Sequence, residues 1–257
     1  MKLRAATMAG VLLLATGAAC ASGSSDTSSG GSEETTLTVY AGSSLTSTFT
    51  DLGTEFEASH EGVTVTFAFG GSSDLVAQIQ QGAPVDVFAS ADTANMEKAV
   101  ADDLVEGDPV DFASNTLQIA VPPDNPAGVS SLKDLAEPDT TVVVCAPEVP
   151  CGAAAQTVEE SSGVTIEPVS EEQAVTDVLT KVEPGEADAG LVYVTDVISA
   201  GDKVKGVAFP ESSEAVNSYP IAVLSASENG DLAQEFLDLV TGAQGQSALA
   251  AAGFAKP

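Results

Sequence analysis

The chain has 257 residues, 44% hydrophobic and 18% charged, the composition of a globular protein rather than a disordered one, and its length allows one or two domains. Eight Lys+Arg stand against 38 Asp+Glu, a balance that excludes nucleic acid as a partner. Beyond residue 19 there are six lysines and no arginine, a net −32, so any anion must be held without a guanidinium fork. Charges more than about 8 Å away are largely screened at physiological salt, and local donors can still capture an anion.

Met1-Lys-Leu-Arg4 supplies a positive flank, Met8 to Ala15 a short apolar core, and Gly17-Ala-Ala-Cys20 follows. Residues 1–19 read as an export signal, too short for a spanning helix. Small residues ending at a cysteine resemble the lipobox of bacterial lipoproteins, although Gly17 stands where a large aliphatic residue is usual. Lipidation of Cys20 and an extracytoplasmic, membrane-anchored protein are expected; plain cleavage after an alanine is the other reading. Residues 20–35, rich in Ser, Gly and acids, read as a flexible tether.

From there strand and helix alternate. Leu37 to Tyr40 is a strand that runs into Gly42 and Ser43-Ser44, and a helix over Leu45–Ser59 carries Leu45, Phe49, Leu52 and Phe56 on one face. Val63 to Phe69 repeats the strand, Gly70-Gly-Ser-Ser73 repeats the turn, and Leu75, Val76 and Ile79 line the next helix. Such turns leave unpaired N–H groups and hydroxyls at a helix N-terminus, where an anion is favoured. A lone serine pair would be read as a helix cap; the recurrence favours a binding site. Pro84 to Ser90 is a third strand and Thr93 to Val105 a third helix, completing a βαβαβ unit whose ligands belong beyond the carboxyl ends of the strands.

A second unit follows: a strand over Thr116–Val121, a short helix from Ser130-Ser131, a β-branched strand over Thr140–Cys145 and a helix from Cys151. Val164 to Ile166 reads as a strand, Ser170 to Ala174 as the opening of a helix that runs to Pro184, and Ala189 to Val194 as a strand. Asn217 to Leu224 is a last apolar strand before two helical stretches. Two α/β lobes joined by crossings near 112–121 and 215–223 are expected, with a cleft at the hinge; a single domain could also hold these strands. Cys145 and Cys151, with five residues between them in an exported chain, read as a disulfide. The single histidine, His60, reads as a solvated helix-end residue, and no free metal cation is expected.

With these pieces in order, the sequence resembles the molybdate-binding proteins of bacterial ABC importers, two-lobed receptors of the type II periplasmic-binding fold. The matching segments are Ala41-Gly-Ser-Ser-Leu45, Gly71-Ser-Ser73, Gly82 to Asp92, Val149-Pro-Cys-Gly152, Gly190-Leu-Val-Tyr193 with Asp196, Phe209-Pro-Glu211 and Tyr219 to Val223, over roughly residues 36–255. The resemblance implies an α/β fold of two mainly parallel sheets, lobe 1 from 36–115 plus about 222–257 and lobe 2 from about 116–221. It implies a non-enzymatic receptor that binds molybdate, or tungstate, by neutral donors: the hydroxyl and N–H of Ser44 and of Ser72, the N–H of Cys151, the N–H of Ala174 and the hydroxyl of Tyr193. No cofactor is implied; the partner is an ABC importer permease, and a monomer is expected. Cys151 departs from the small residue usual there, which a backbone donor tolerates. Asp74 is expected to face the first-turn N–H groups of its own helix.

The alternatives are a receptor for another tetrahedral oxyanion such as sulfate, an iron receptor, a serine hydrolase, and an adhesion or scaffold protein. Iron sites draw on several tyrosines, and this chain has only Tyr40, Tyr193 and Tyr219, which argues against iron. A hydrolase would need His60 as its base, and neither Ser44 nor Ser72 lies in a Gly-x-Ser-x-Gly elbow.

Overall fold

The computed structural model describes residues 34–257. The export signal, Cys20 and nearly all of the tether lie outside the described residues.

Ten strands form two five-stranded sheets, each flanked by helices. The first contains β1 (Thr35–Gly42), β2 (Val63–Gly70), β3 (Val87–Ala89), β4 (Val105–Asn115) and β10 (Asn217–Leu224), in the order β2-β1-β3-β10-β4. The second contains β5 (Leu117–Val121), β6 (Val142–Cys145), β7 (Ser170–Glu172), β8 (Ala189–Tyr193) and β9 (Lys205–Val207), in the order β7-β6-β8-β5-β9. Both sheets are mixed rather than mainly parallel. β1 runs parallel to β2 and β3, and β6 parallel to β7 and β8; β10 and β5 each add two antiparallel pairings. The antiparallel strands are those next to the crossings, where the chain leaves one sheet and enters the other: β4 runs into β5 across Thr116, and β9 is followed by β10.

The helices are α1 (Thr46–Ser59), α2 (Ser72–Gln80), α3 (Thr93–Ala101), α4 (Pro150–Ser162), α5 (Val175–Val182), α6 (Val194–Ala200), α7 (Gly230–Thr241) and α8 (Ala243–Ala251). The two cores differ in chemistry. Around the first sheet, Phe49, Phe56, Phe112 and Phe236 are fully buried and meet ring to ring. Around the second, the filling is Val, Leu and Ala from β5, β6, β8, α4 and α5. Each fully buried large side chain contributes about 1.5–3 kcal/mol, so both halves have cores of their own.

Several expected elements move. Val164–Ile166 is no strand: the Ile166 N–H is taken by the Glu159 carboxylate at 2.6 Å, which ties the segment to the end of α4 instead of a sheet. The edge strand is Ser170–Glu172, where a helix start was expected; it pairs with β6 in register Val143↔Ser170, and α5 opens after it at Val175. β4 and β9 carry too little apolar alternation to be read alone and form as partners of the apolar strands β10 and β5. The helix after the first serine turn begins at Thr46, behind a 3-10 turn over Ser43–Leu45, and neither serine caps it through its side chain.

Candidate functional site

The parallel strands of the two sheets end towards one another. In the first sheet β1 and β2 finish in register at Gly42↔Gly70, so the two serine turns leave the sheet side by side. In the second, β6 ends at Cys145 and β8 at Tyr193. A cavity lies between them. It is lined from the first half by Gly42, Ser43, Ser44, Gly70, Gly71, Ser72 and Ala91, and from the second by Val149, Pro150, Cys151, Val175 and Tyr193.

Helix beginnings surround this space. Ser72 is the first residue of α2, with Gly71 as its N-cap; no side chain caps that helix, and its first-turn bonds start at Asp74 and Leu75. α4 opens Val149-Pro150-Cys151, and proline at its first position has no N–H, so Cys151 offers the first amide of the helix. Gly152 and Ala153 already bond back to the Val149 carbonyl. α5 starts at Val175 with Ala174 as N-cap, again without a side-chain cap. Such termini carry partial positive charge and suit an anion.

Ser44, Ser72, Cys151 and Tyr193 thus share one cavity; Ala174 immediately precedes the lining residue Val175 and does not itself line it. Asp74 sits in the first turn of α2 but is exposed and makes no capping bond. Sequence reasoning gave no role to Ala91, Val149 and Val175, whose side chains carry no polar signal.

The hydroxyls are set in distinct ways. Ser72 is fully buried, and its Oγ accepts the Ala91 N–H at 2.9 Å, leaving its own proton free to point elsewhere. Ser44 Oγ lies 3.0 Å from the hydroxyl of Tyr219. Tyr193 is 1% exposed, and its hydroxyl makes no hydrogen bond of good geometry to the protein, although the Tyr219 hydroxyl stands near it. Leaving a buried hydroxyl unpaired costs about 1–3 kcal/mol, so this atom points to a ligand. Ser73 Oγ is also buried without a partner, outside the cavity lining.

Burial pushes the Tyr193 hydroxyl well above the ordinary phenol range, reinforced by the neighbouring Tyr219, Asp92 and Asp196. Burial likewise raises Tyr219. Both therefore stay protonated. Beneath Tyr193, Asp196 is buried and accepts the Tyr193 N–H at 2.8 Å; burial raises its carboxyl to about 7 against the pull of that bond. The positively charged side chains are absent from the lining, and the donors are all neutral.

Cys145 and Cys151 are bonded, closing the loop Ala146–Pro150 against the start of α4. Gly152 fits only as glycine, because a Cβ there would fall 1.9 Å from the Ala146 carbonyl oxygen. His60 lies elsewhere, at the end of α1, stacked on Phe56 and 2.8 Å from the Glu235 carboxylate, and it does not line the cavity. Its pairing with Glu235 raises its pKa. Among the described residues no cluster of His, Cys, Asp or Glu could hold a metal ion, and no helix is long and apolar enough to cross a membrane.

Residues 37–255 match the family model described as bacterial extracellular solute-binding protein. The chain is 49% identical over 221 residues to the molybdate-binding protein ModA of Mycobacterium tuberculosis, covering 86% of this chain and 85% of that one. Its structure is similar to the periplasmic molybdate-binding protein of Azotobacter vinelandii, with TM-score 0.76 and 23% identity over 86% of this chain and 99% of that one. It is also similar to the sulfate-binding protein SubI of Mycobacterium tuberculosis, with TM-score 0.75 and 19% identity over 86% of each. Below 25% identity these structural likenesses carry the fold alone, whereas the family model spans nearly the whole described chain. The chain belongs to the bacterial extracellular solute-binding proteins.

Proposed function

We propose that this protein is a non-enzymatic extracytoplasmic receptor that binds molybdate and delivers it to an ABC importer. The observation that carries the reading is the buried hydroxyl of Tyr193, which makes no well-formed bond to the protein, in a cavity that Ser44, Ser72 and the first amide of α4 also line. The 49% identity to a molybdate-binding protein supports the same ligand.

In this reading Ser44 and Ser72 donate through hydroxyl and N–H, Cys151 and Ala174 through N–H, and Tyr193 through its hydroxyl. Each bond to a charged ligand contributes about 1.5–3 kcal/mol. After desolvation and lobe closure that leaves room for an affinity between micromolar and nanomolar, about −8 to −12 kcal/mol. A site of donors alone suits a fully deprotonated dianion. Hydrogen phosphate would bring a proton with no acceptor to meet it. Tungstate passes this filter as molybdate does and belongs to the proposal. The Cys145–Cys151 bridge stiffens the loop that presents Cys151. Lipidation of Cys20 would anchor a monomeric receptor beside its permease.

Sulfate is the second reading, because it passes the same filter and a sulfate-binding protein shares the fold. Calorimetry with molybdate, tungstate, sulfate and phosphate separates them. Molybdate and tungstate are expected to bind tightly, sulfate more weakly and phosphate hardly at all. Tight phosphate binding without molybdate heat would overturn the proposal.

A further inference from the structure

We propose that Tyr219 is the positioning residue that makes Ser44 a committed donor to the oxyanion, an inference that rests on the oxyanion reading above.

Tyr219 is fully buried at the start of β10, opposite Ala113 of β4, and a register shift follows it at Pro220. Pro220 has no N–H for the ladder, and such residues are placed at irregularities. The Tyr219 ring is fixed by three edge-to-face neighbours: Phe112, Tyr193 and Phe254, at centroid distances of 6.3, 6.0 and 5.3 Å. It therefore stands between Ser44 of the first half and Tyr193 of the second. Its hydroxyl makes its one well-formed hydrogen bond to Ser44 Oγ at 3.0 Å; Asn115 and the Tyr193 hydroxyl stand near it, and that of Tyr193 makes no well-formed bond to the protein.

Counting protons fixes the direction of that bond. An oxyanion only accepts, so Ser44 must spend its single hydroxyl proton on the ligand. The 3.0 Å contact is then a hydrogen bond only if Tyr219 donates to Ser44 Oγ. A phenol is more acidic than an alkyl hydroxyl and is the better donor of the two. The resulting chain, Tyr219 to Ser44 to anion, polarises in one direction, and each bond strengthens the next. Ser72 is set the same way by a group that can only donate, the Ala91 N–H. Each serine thus receives a bond from behind and gives one forward. Tyr219 does for Ser44 what the backbone does for Ser72.

The test is a double-mutant cycle for molybdate by calorimetry, using wild type, Ser44→Ala, Tyr219→Phe and the double variant. Tyr219→Phe keeps the ring, so the ligand-free melting temperature is expected to stay near that of wild type. With Ser44 present it should weaken molybdate about tenfold, the effect of one hydrogen bond. With Ser44→Ala already in place it should cost less than about twofold, because the group through which it acts is gone. Equal losses in both backgrounds would make Tyr219 merely structural and overturn the inference. So would a Tyr219→Phe variant with undiminished affinity while Ser44→Ala is impaired, leaving the oxyanion reading intact. Were Ser44→Ala itself harmless, the site reading would fall and this inference with it. A second measurement replaces Tyr219 by 3,5-difluorotyrosine, a more acidic phenol of nearly the same shape. Tighter molybdate binding is expected; looser binding would overturn the donor role.

Discussion

Gly71 and Gln173 meet across the cavity: a Cβ built on Gly71 would lie 2.2 Å from the Gln173 carbonyl oxygen. Gly71 precedes α2 in the first half and Gln173 precedes α5 in the second, so the two helix starts close on one another over backbone alone. Its φ of −66° suits any residue, so the demand for glycine here is one of approach and not of backbone angle. Gly71→Ala should force these two helix starts apart. Overpacking of this kind costs about 1–3 kcal/mol, so molybdate affinity should fall about 5- to 150-fold. Calorimetry beside a ligand-free melt checks it; unchanged affinity would show that the halves do not need this contact when the anion is held.

Tyr193→Phe separates ligand binding from folding. It removes a hydroxyl that makes no well-formed bond to the protein. Losing one bond to a charged ligand should weaken molybdate by about 1.5–3 kcal/mol, or about 10- to 150-fold. Ligand-free stability should hold or rise, since no internal bond is lost. A melting temperature that falls together with affinity would mean that the phenol serves the fold.

Asp196 predicts a pH dependence with a definite sign. Its carboxyl is raised by burial to about 7 in the folded chain, above the ordinary carboxylate value of 3.8. Between about pH 4 and 7 the folded state holds a proton that the unfolded state has released. This group's contribution to stability therefore declines as pH rises through that window, by at most about 1.4 kcal/mol per unit, and levels off above it. Asp196→Asn keeps an oxygen to accept the Tyr193 N–H and cannot ionise. The stability difference, variant minus wild type, should grow from pH 4 to 7 in urea titrations. A difference that stays flat would place the Asp196 pKa in the ordinary range.

The Cys145–Cys151 bridge closes a loop of seven residues that carries Val149, Pro150 and Cys151 into the cavity. Loop-closure entropy gives such a bridge about 2 kcal/mol. Replacing both cysteines by serine should lower stability by that order and weaken molybdate less than tenfold, because the amide of Cys151 remains at the start of α4. Urea titration and calorimetry read the two effects separately. A loss of binding beyond about a hundredfold would show that the bridge, and not the helix, places the donor.

The serine turns, the alternation of strand and helix and the apolar faces of α1 and α2 were legible because each is written in neighbouring residues. Phe49, Leu52 and Phe56 recur at helical spacing and are all buried. Short edge pieces were not legible. Ser170-Glu-Glu172 has no strand pattern and becomes one because β6 offers a free edge beside it. The residues 105–115, with Gly107 and Pro109 among them, pair with β10 for the same reason. Ser43-Ser44 suggested a side-chain cap, but the turn closes as a 3-10 segment whose hydroxyls are left for other uses. At the site, Ser44 and Ser72 could be nominated from their turns and Cys151 and Tyr193 from the family resemblance, while Ala91 and Tyr219 could not be assigned a role. Ala91 contributes only an N–H, and Tyr219 lies 175 residues from the serine it touches.

The sequence by itself determined the chemistry available: an acidic chain without arginine beyond its export signal, two glycine-serine turns and a cysteine pair, all properties of residue type and local spacing. Only the tertiary structure decided which of those groups share a cavity, which serine meets the Tyr219 hydroxyl and which accepts the Ala91 N–H, and that the Tyr193 hydroxyl makes no well-formed bond to the protein. The physical reason is range. Helix starts and turns are set by a few adjacent backbone angles, whereas the direction of a hydroxyl proton and the approach of Gly71 to Gln173 depend on atoms that meet only after both sheets have formed.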